Sequence, residues 1–365
     1  MSRAWIDVDI GAIAHNARTL TAAAGGAALC GVVKANGYGH GAELAARGCI
    51  DGGADYLAVA QVAEGVQLRQ AGFDLPIWVL SEPADHEFAT AANHDLEPAI
   101  YSDAGLAAAA ATAGGPMTVH VLADTGMNRS GRRWTDVADL SVRIDRDPRL
   151  RLGSVWTHLA VADEPDHSFT EVQLDRYDEA LAAIARAGVE VPLRHAANSG
   201  ASVGVPRSHH DVIRPGLSLY GIEPSPEMSG MADLRPALRL ATAVTYVKKI
   251  GPDDRVGYGC AGSVTGPSLA ATIPIGYADG IRRSWWNRGG RALVGGVARP
   301  FLGRVSMDQI VLDCGNDEVA RGDEVVLIGR QGDAAITVEE VAAEVGTISN
   351  EVVCDLGPRL DRRPV

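Results

Sequence analysis

The chain has 365 residues, of which 46% are hydrophobic, enough apolar material for two folded domains. Its formal net charge of -13 argues against a nucleic acid partner, because no basic excess is present to neutralise phosphates. The N-terminal stretch MSRAWIDVDIGAIAHNARTL contains no continuous apolar run, so we expect no signal peptide, no membrane span and a cytoplasmic location.

Eight short β-rich segments recur through the first two thirds of the chain. In order they read CGVVK, YLAVA, PIWVL, LEPAI, MTVHVL, LGSVWTH, VPLRHA and DVIRP. Helical patterns separate most of them, such as GAELAARGCI after the first. An open doubly wound sheet has the same local pattern, but a count of eight favours a closed barrel. We therefore predict an α/β fold whose N-terminal domain, residues 1–235, is a (β/α)8 TIM-type barrel.

From about Leu234 onward the pattern changes to strands separated by glycine turns. LRLATAVTYVKKI, LAATIPIGYADG, ARPFLGRVSMDQIVLDC and DEVVLIG are strand-like, and only TVEEVAAEVG is typical of a helix. This pattern predicts a mostly β C-terminal domain over residues 236–365. Residues 1–8 also alternate like a strand, one that could pair with the C-terminal domain.

The segment GVVKANGYGHG places Lys34 at the end of the first predicted barrel strand. Active sites of such barrels lie at the C-terminal ends of the strands. Partial desolvation there lowers the pKa of a lysine and frees its amine to react with an aldehyde. The glycines that follow would let the backbone approach a flat ligand. Taken alone, Lys34 is more simply interpreted as a solvated loop lysine, so this hypothesis depends on other motifs.

The ends of the seventh and eighth predicted strands carry candidate phosphate contacts. HAANSG contains Asn198 and Ser199, and RPGLSLYG contains Arg214, Gly216 and Leu217. Loops after these two strands bind phosphate in barrels, through backbone N–H groups and hydroxyls. A strand-end lysine together with a phosphate site suggests pyridoxal phosphate as the cofactor. Each string by itself is more often a structural turn.

These motifs, in this order, resemble the alanine racemase family. VVKANGYGHG resembles the cofactor-lysine signature, DTGMNRSG the arginine loop and THLAVADE the histidine strand. HAANSG and RPGLSLYG resemble the phosphate and pyridine contacts, VGYGC the catalytic-tyrosine segment, and PIGYADG with GRVSMDQ the C-terminal signature. The resemblance spans nearly the whole chain and implies a pyridoxal-phosphate-dependent isomerase, a homodimer with shared active sites.

The resemblance also implies the residues of the cofactor site. Lys34 would bind the cofactor covalently. Arg214 would face the pyridine nitrogen as a donor that stays charged and does not protonate it. The implied cofactor-binding set is Lys34, Tyr38, His158, Asn198, Ser199, Arg214, Gly216, Leu217 and Asn350.

Racemisation needs one base on each face of the substrate Cα, since a single rigid base cannot reach both. By resemblance, Lys34 serves one face and Tyr258 of the partner subunit serves the other. A free tyrosine has a pKa of about 10, so it needs a cationic or hydrogen-bonding neighbour, for which His158 beside Arg214 is the candidate. Without the resemblance, Tyr258 would be a packed strand tyrosine and His158 a core histidine. The implied catalytic set is Lys34, Tyr258, His158 and Arg214.

The substrate carboxylate would bind Arg129 in the MNRSG loop, because a guanidinium can donate two parallel hydrogen bonds to it. The resemblance adds Met307, Asp308 and Tyr277 to the substrate-binding set. Arg283 and Arg304 resemble positions that line the entrance of the site. Taken singly, Met307 and Asp308 are more simply turn and core residues.

Two positions depart from the family pattern. Asn350 in ISNEVV stands where the family usually has a tyrosine that contacts the phosphate, and the smaller polar side chain suggests that serine is accepted as well as alanine. Leu122 stands where many members carry a carbamoylated lysine that positions the loop arginine. Another group must then orient Arg129, and Asn128 is the nearest candidate.

The sequence thus predicts an alanine racemase activity that supplies D-alanine, for cell-wall precursors or in catabolism. The alternatives are a serine or broad-specificity small amino acid racemase or epimerase, a decarboxylase of the same fold type, and a non-catalytic carrier of pyridoxal phosphate. A carrier would need neither Tyr258 nor the β domain. We predict no metal site, although His209, His210 and Asp211 are adjacent. Free thiols in a reducing compartment are expected for Cys30, Cys49, Cys260, Cys314 and Cys354.

Overall fold

The structure is a computed structural model that describes residues 4–112 and 115–365. Residues 1–3 of the predicted N-terminal strand lie outside the described residues. Contacts between Cα atoms divide the chain into two compact units. The barrel unit comprises residues 11–37 and 45–235, and the β unit comprises the residues up to Ile10, residues 38–44 and residues 236–365.

The barrel unit is built on eight parallel strands. In chain order they are Ala28–Val32, Tyr56–Val59, Ile77–Val79, Leu96–Ile100, Met117–Asp124, Leu150–Trp156, Arg194–His195 and Val212–Ile213. Each of the first six strands pairs with the next in the list, and the eighth pairs with the first. Between the seventh and eighth, Asp211 N donates to Arg194 O at 3.0 Å and Arg214 N donates to Ala197 O at 2.9 Å. The predicted barrel is confirmed.

Helices separate these strands because their apolar residues recur at helical spacing. The helices before or between barrel strands are Ile10–Ala23, Ala42–Asp51, Val62–Gln70, Phe88–Asn93, Asp103–Ala111, Val137–Arg146, Phe169–Arg186 and Ser199–Gly204. In Phe169–Arg186, the buried residues include Leu174, Tyr177 and Ile184, three or seven positions apart and so on one face. A short strand, Arg132–Arg133, pairs with the fifth barrel strand in its C-terminal loop.

The β unit contains two sheets. The larger one has the strand order Val297–Pro300, Arg291–Val294, Glu324–Gln331, Leu238–Ala243, Ala4–Val8 and Asp361–Pro364, and Ala334–Ile336 also pairs with Glu324–Gln331. The smaller one has the order Tyr246–Ile250, Ser268–Ile273 and Ile310–Asp313. Ala4–Val8 pairs antiparallel with Leu238–Ala243 and parallel with Asp361–Pro364, so the described part of the N-terminal segment is a strand of this sheet.

The β unit has more helix than the sequence predicts. Val338–Val345 forms the predicted helix, and Thr337 caps it by accepting a hydrogen bond from Glu340 N. A second helix, Ser349–Cys354, follows it, so the prediction of a single helix is wrong. Six residues are too short to show a helical period, and two of the six are β-branched valines, which favour strands.

Candidate active site

The backbone after the first barrel strand turns through left-handed conformations at Lys34. The angle φ is 52° at Ala35, 54° at Asn36, 62° at Gly37 and 51° at Tyr38. Each non-glycine residue in this region costs about 1–2 kcal/mol, and such strain persists only where surrounding contacts impose it. Here Gly37 N donates to Val33 O at 2.8 Å, and Ala35 N donates to Glu64 Oε1 at 2.6 Å. Lys34 therefore begins a tightly held turn and is half-buried.

Gly39 ends this turn, and a close contact with the backbone leaves no room for a side chain there. Gly39 has a φ of 79°, and a Cβ added there would lie 2.9 Å from the carbonyl carbon of Val353 and closer to its oxygen. Arg362 Nε also donates to Gly39 O at 3.0 Å. The expectation that these glycines make room for a flat ligand does not apply to Gly39, whose missing side chain admits the Ser349–Cys354 helix.

Three cationic side chains of the barrel unit act electrostatically on His158. This half-buried imidazole follows the sixth barrel strand. Burial, and then the positive charges of Arg214, Arg129 and Lys34, lower the pKa of His158 to about 3. The ring is consequently neutral at physiological pH. It can take part in hydrogen bonding, but it is not the cationic neighbour that the sequence offered as one option for Tyr258.

Arg214 is held rigidly inside the barrel. Its Nη1 lies 2.6 Å from His195 Nδ1, its Nη2 donates to Thr157 O at 2.8 Å, and its Cζ lies 4.7 Å from the centre of the Trp156 ring. Burial lowers the pKa of Arg214 to about 10, which still leaves the guanidinium charged at neutral pH. The side chain is thus a fixed cation and donor, as expected from the sequence.

The predicted phosphate residues converge on one hydroxyl. Ser199 Oγ accepts hydrogen bonds from Gly216 N at 2.9 Å and from Ser218 N at 3.3 Å. Asn198 caps the Ser199–Gly204 helix by accepting from Ala201 N at 3.1 Å, and Leu217 is 5% exposed. Within the described part of the chain, the buried Ser218 hydroxyl has no hydrogen-bond partner. This loop pair brings hydroxyls and backbone N–H groups together.

Asp124 shapes the loop that carries Arg129. Asp124 Oδ1 accepts from Gly126 N and from Asn128 N, each at 3.0 Å. Asn128 Nδ2 donates to Gly126 O at 2.9 Å, so Asn128 folds the loop, and Arg129 follows it as an exposed side chain. Leu122 packs with Ala99 and Trp156 in an apolar cluster.

Tyr258 lies at the tip of a tight loop in the β unit. Val256 and Gly262 close the loop with two backbone hydrogen bonds of 2.9 and 3.0 Å. Positive φ values at Gly257 and Gly259, 73° and 70°, allow the reversal. Tyr258 is 69% exposed on this chain. The loop therefore presents a phenol outward on a short, constrained backbone.

The two C-terminal signature segments lie side by side in the β unit. Tyr277 N donates to Ser306 O, and Ala278 N donates to Met307 O, each at 3.0 Å. A Cβ on Gly276 would lie 2.6 Å from the Met307 carbonyl carbon, so only glycine permits this approach. Both Tyr277 and Met307 are exposed.

The remaining predicted residues of the β unit have separate environments. Asp308 accepts from Arg359 Nη2 at 2.7 Å, and Arg304 lies 6.0 Å from the centre of the Trp286 ring. Arg283 is exposed. Asn350 is half-buried in the Ser349–Cys354 helix, and Tyr38 is half-buried at the end of the left-handed turn. Burial, with a smaller effect of Cys354, raises the pKa of Tyr38 above its usual value.

In the barrel unit, Lys34, Arg129 and Arg214 thus act electrostatically on His158, and separately Ser199 contacts Gly216. Sequence reasoning missed His195, which contacts Arg214, and Ser154, His120 and Glu97 behind it. The sequence does contain a signal for two of them, because VHVL and LGSVW place His120 and Ser154 inside otherwise apolar strands.

Two further observations concern metal-binding side chains and membrane-spanning helices. Among residues 4–112 and 115–365, no group of histidine, cysteine and acidic side chains is arranged to bind a metal ion. His209 Nε2 lies 3.1 Å from Ala201 O. No helix in the same ranges is long and apolar enough to cross a membrane.

Comparison with known families covers almost the entire chain. Residues 8–224 match the model of the alanine racemase N-terminal domain, and residues 237–364 match the alanine racemase C-terminal domain. The chain is 40% identical to the alanine racemase of Symbiobacterium thermophilum over 99% of this chain and 97% of that protein. It is 38% identical to the alanine racemase of Frankia casuarinae, over 98% and 95% of the two chains.

Solved structures agree with this result. The crystal structure of alanine racemase from D-cycloserine-producing Streptomyces lavendulae superimposes with a TM-score of 0.94 at 34% identity, covering 100% of this chain and 97% of that one. The alanine racemase of Bacillus anthracis with bound L-Ala-P gives a TM-score of 0.94 at 32% identity, covering 100% and 95%.

Proposed function

The chain belongs to the alanine racemase family, and from this premise we propose how its residues carry out the reaction. It is a pyridoxal-phosphate-dependent amino acid racemase that interconverts L- and D-alanine. The observation that carries the proposal is the group of Lys34, Arg129 and Arg214 around a neutral His158. Two guanidinium cations beside a lysine amine suit a ligand with an aldehyde, a phosphate and a carboxylate.

The donor set fits the cofactor. Pyridoxal phosphate, when bound, withdraws electrons from the substrate Cα and so makes its proton removable. Lys34 would bind the aldehyde carbon, and Arg214 would donate to the ring nitrogen. Ser199 and the backbone of Gly216 and Leu217 would hold the phosphate, with the Ser218 hydroxyl as a further donor. Tyr38, Asn198 and Asn350 complete the proposed cofactor-binding set.

Two residues would handle the Cα proton. Lys34 Nζ would take or return it on one face, and the hydroxyl of Tyr258 of the partner subunit would do so on the other. A loop with a 69% exposed phenol on the single chain supports a role for Tyr258 at a neighbouring subunit. Arg214 stays charged without protonating the ring, which limits electron withdrawal and hence side reactions such as transamination.

The substrate would be held by its carboxylate. Arg129 supplies two parallel donors, and Asp124 fixes the loop from which it projects. The exposed Tyr277 and Met307, with Asp308, would line the substrate side of the β unit. The homodimer is part of this proposal, because Tyr258 serves a site whose lysine belongs to the other copy.

The relatives favour alanine over serine, since the curated proteins and solved structures described above are alanine racemases. We therefore do not extend the proposal to serine on the basis of Asn350. All five cysteines are free thiols, which supports a reducing compartment, the cytoplasm. The D-alanine formed would be available to cell-wall precursor synthesis.

Hybrid dimers test the shared site directly. Lys34→Ala and Tyr258→Phe should each be inactive in conversion of L-alanine to D-alanine. Mixing their subunits should restore about a quarter of wild-type activity, because about half of the dimers are hybrids and each hybrid has one intact site of two. If Lys34 and Tyr258 act within one subunit, no hybrid has an intact site. Absence of recovery, with hybrids verified by two affinity tags, would refute the shared site.

A further inference from the structure

A line of hydrogen bonds crosses the barrel interior from Arg214 to Glu97. Arg214 Nη1 lies 2.6 Å from His195 Nδ1, and His195 Nε2 lies 2.7 Å from Ser154 Oγ. Ser154 Oγ lies 2.7 Å from His120 Nδ1, and His120 Nε2 lies 3.0 Å from Glu97 Oε2. We call these five residues the barrel relay. They come from five different barrel strands or strand ends and contact one another in order.

The relay is shielded from water. Ser154 and His195 are 0% exposed, His120 is 3% exposed and Arg214 is 4% exposed. The Glu97 side chain is the member that reaches solvent, at 25% exposure. The His195 ring lies between two indoles, with its centre 4.7 Å from that of Trp78 and 5.8 Å from that of Trp156. Buried polar groups of this kind need every hydrogen bond to be satisfied.

Hydrogen-bonding rules assign one direction to the whole relay. A guanidinium only donates, so His195 Nδ1 accepts and the proton of that ring is on Nε2. His195 Nε2 therefore donates to Ser154 Oγ, and the single Ser154 hydroxyl proton is left to donate to His120 Nδ1. The proton of His120 is then on Nε2, which donates to Glu97. In this arrangement both imidazoles carry their proton on Nε2 and accept at Nδ1.

A proton on His120 Nδ1 does not fit the same geometry. Two N–H groups, that one and the one of His195, would then point at Ser154 Oγ. The Ser154 hydroxyl proton would have no acceptor in the relay. Ser154 thus fixes Nδ1 of His120 as an acceptor, and Glu97 accepts from Nε2 on the other side of the ring.

We propose that Ser154 and Glu97 are positioning residues for the reaction, acting through His120 and His195 on Arg214. The relay keeps Nδ1 of His195 as an acceptor and so orients the Arg214 guanidinium. It also places the negative charge of Glu97 at the opposite end of the relay from the positive charge of Arg214. The positioning role rests on the proposed function, because it requires Arg214 to contact the cofactor ring. The pattern of protons along the relay follows from hydrogen bonding alone and does not rest on that function.

The chain offers a matched control for Ser154. Ser141 is also 0% exposed, in the helix Val137–Arg146, and its hydroxyl has no hydrogen-bond partner in the described part of the chain. Ser141→Ala therefore removes a buried hydroxyl without breaking a relay. Ser154→Thr keeps a hydroxyl and is the rescue variant. Glu97→Gln keeps an oxygen acceptor and removes only the charge.

Nitrogen-15 NMR of histidine side chains in the holoenzyme tests the protonation pattern. We expect His120 and His195 to show a protonated Nε2 and a hydrogen-bonded, unprotonated Nδ1 in the wild type and in Ser141→Ala. In Ser154→Ala, His120 Nδ1 loses its donor and His195 Nε2 loses its acceptor, so the resonances of these two nitrogens should shift, and Ser154→Thr should return them. Glu97→Gln, which keeps the oxygen acceptor, should leave the proton of His120 on Nε2. A proton on Nδ1 of either ring in the wild type, or identical spectra for Ser154→Ala and Ser141→Ala, overturns the proposal.

Cofactor affinity tests the link to Arg214. Visible absorbance of the bound cofactor gives its dissociation constant, and we expect Ser154→Ala to weaken binding about tenfold while Ser154→Thr restores it. Ser141→Ala should match the wild type. Equal weakening in both alanine variants would overturn the positioning role. If the wild type binds the cofactor but does not racemise alanine, the proposed function fails while the relay stands.

Discussion

Gly39→Ala tests how the turn after Lys34 is held. The residue has a φ of 79°, and a left-handed alanine costs about 1–2 kcal/mol. In addition, the new Cβ would lie 2.9 Å from the Val353 carbonyl carbon and closer to its oxygen, whereas ordinary contacts are 3.4–4 Å. Forcing backbone apart adds about 1–3 kcal/mol. The total is about 2–5 kcal/mol of unfolding free energy.

Gly53→Ala is the matched control, because its φ is 93° but nothing lies within 4 Å of an added Cβ. It should cost only the conformational part, about 1–2 kcal/mol. At roughly 2–4 °C per kcal/mol, Gly39→Ala should lower the melting temperature by about 4–20 °C and Gly53→Ala by about 2–8 °C. Calorimetry of both variants measures the difference. Equal melting temperatures would refute the claim that Gly39 is required by its contact with Val353.

Two further predictions concern the barrel unit. The pKa of His158 falls from about 6.5 in the unfolded chain to about 3 in the folded one, so the unfolded chain binds more protons and stability should fall as pH drops from about 6.5 to 3. The pH dependence of unfolding should be shallower in His158→Asn, and an unchanged dependence would contradict the low pKa. Ser199→Ala leaves Gly216 N and Ser218 N without their acceptor, and we expect about tenfold weaker binding of pyridoxal phosphate in a dialysis or absorbance titration. Retention of wild-type affinity would show that Ser199 does not hold the phosphate loops together.

The left-handed turn at Lys34 has a functional consequence. Strained residues persist where the surrounding structure over-determines them, and here Glu64 accepts from Ala35 N and also from Ala60 N and Gln61 N. One carboxylate thus ties the turn to the start of the helix Val62–Gln70. We expect Lys34 to keep its position when substrate enters, because hydrogen bonds hold the backbone directly after it.

The sequence by itself determined the barrel, and it predicted the main candidate site residues. Parallel strands are buried on both faces, so they appear as short apolar runs, and eight such runs with helices between them were visible without coordinates. Lys34, Ser199 and Arg214 could be selected because they follow strand ends, where barrels place their active sites. The strand order and the hydrogen bond between Asp211 and Arg194 that closes the ring agree with the predicted barrel.

Only the tertiary structure decided the features that depend on residues far apart in the chain. The left-handed turn depends on the Glu64 carboxylate, and the need for glycine at position 39 depends on the helix Ser349–Cys354. Local propensity contains no information about either contact. The relay from Arg214 to Glu97 likewise spans more than a hundred residues, and its direction follows from which nitrogen faces which oxygen. Burial makes that direction important, because an N–H or O–H group without an acceptor inside the barrel cannot form a hydrogen bond with water instead.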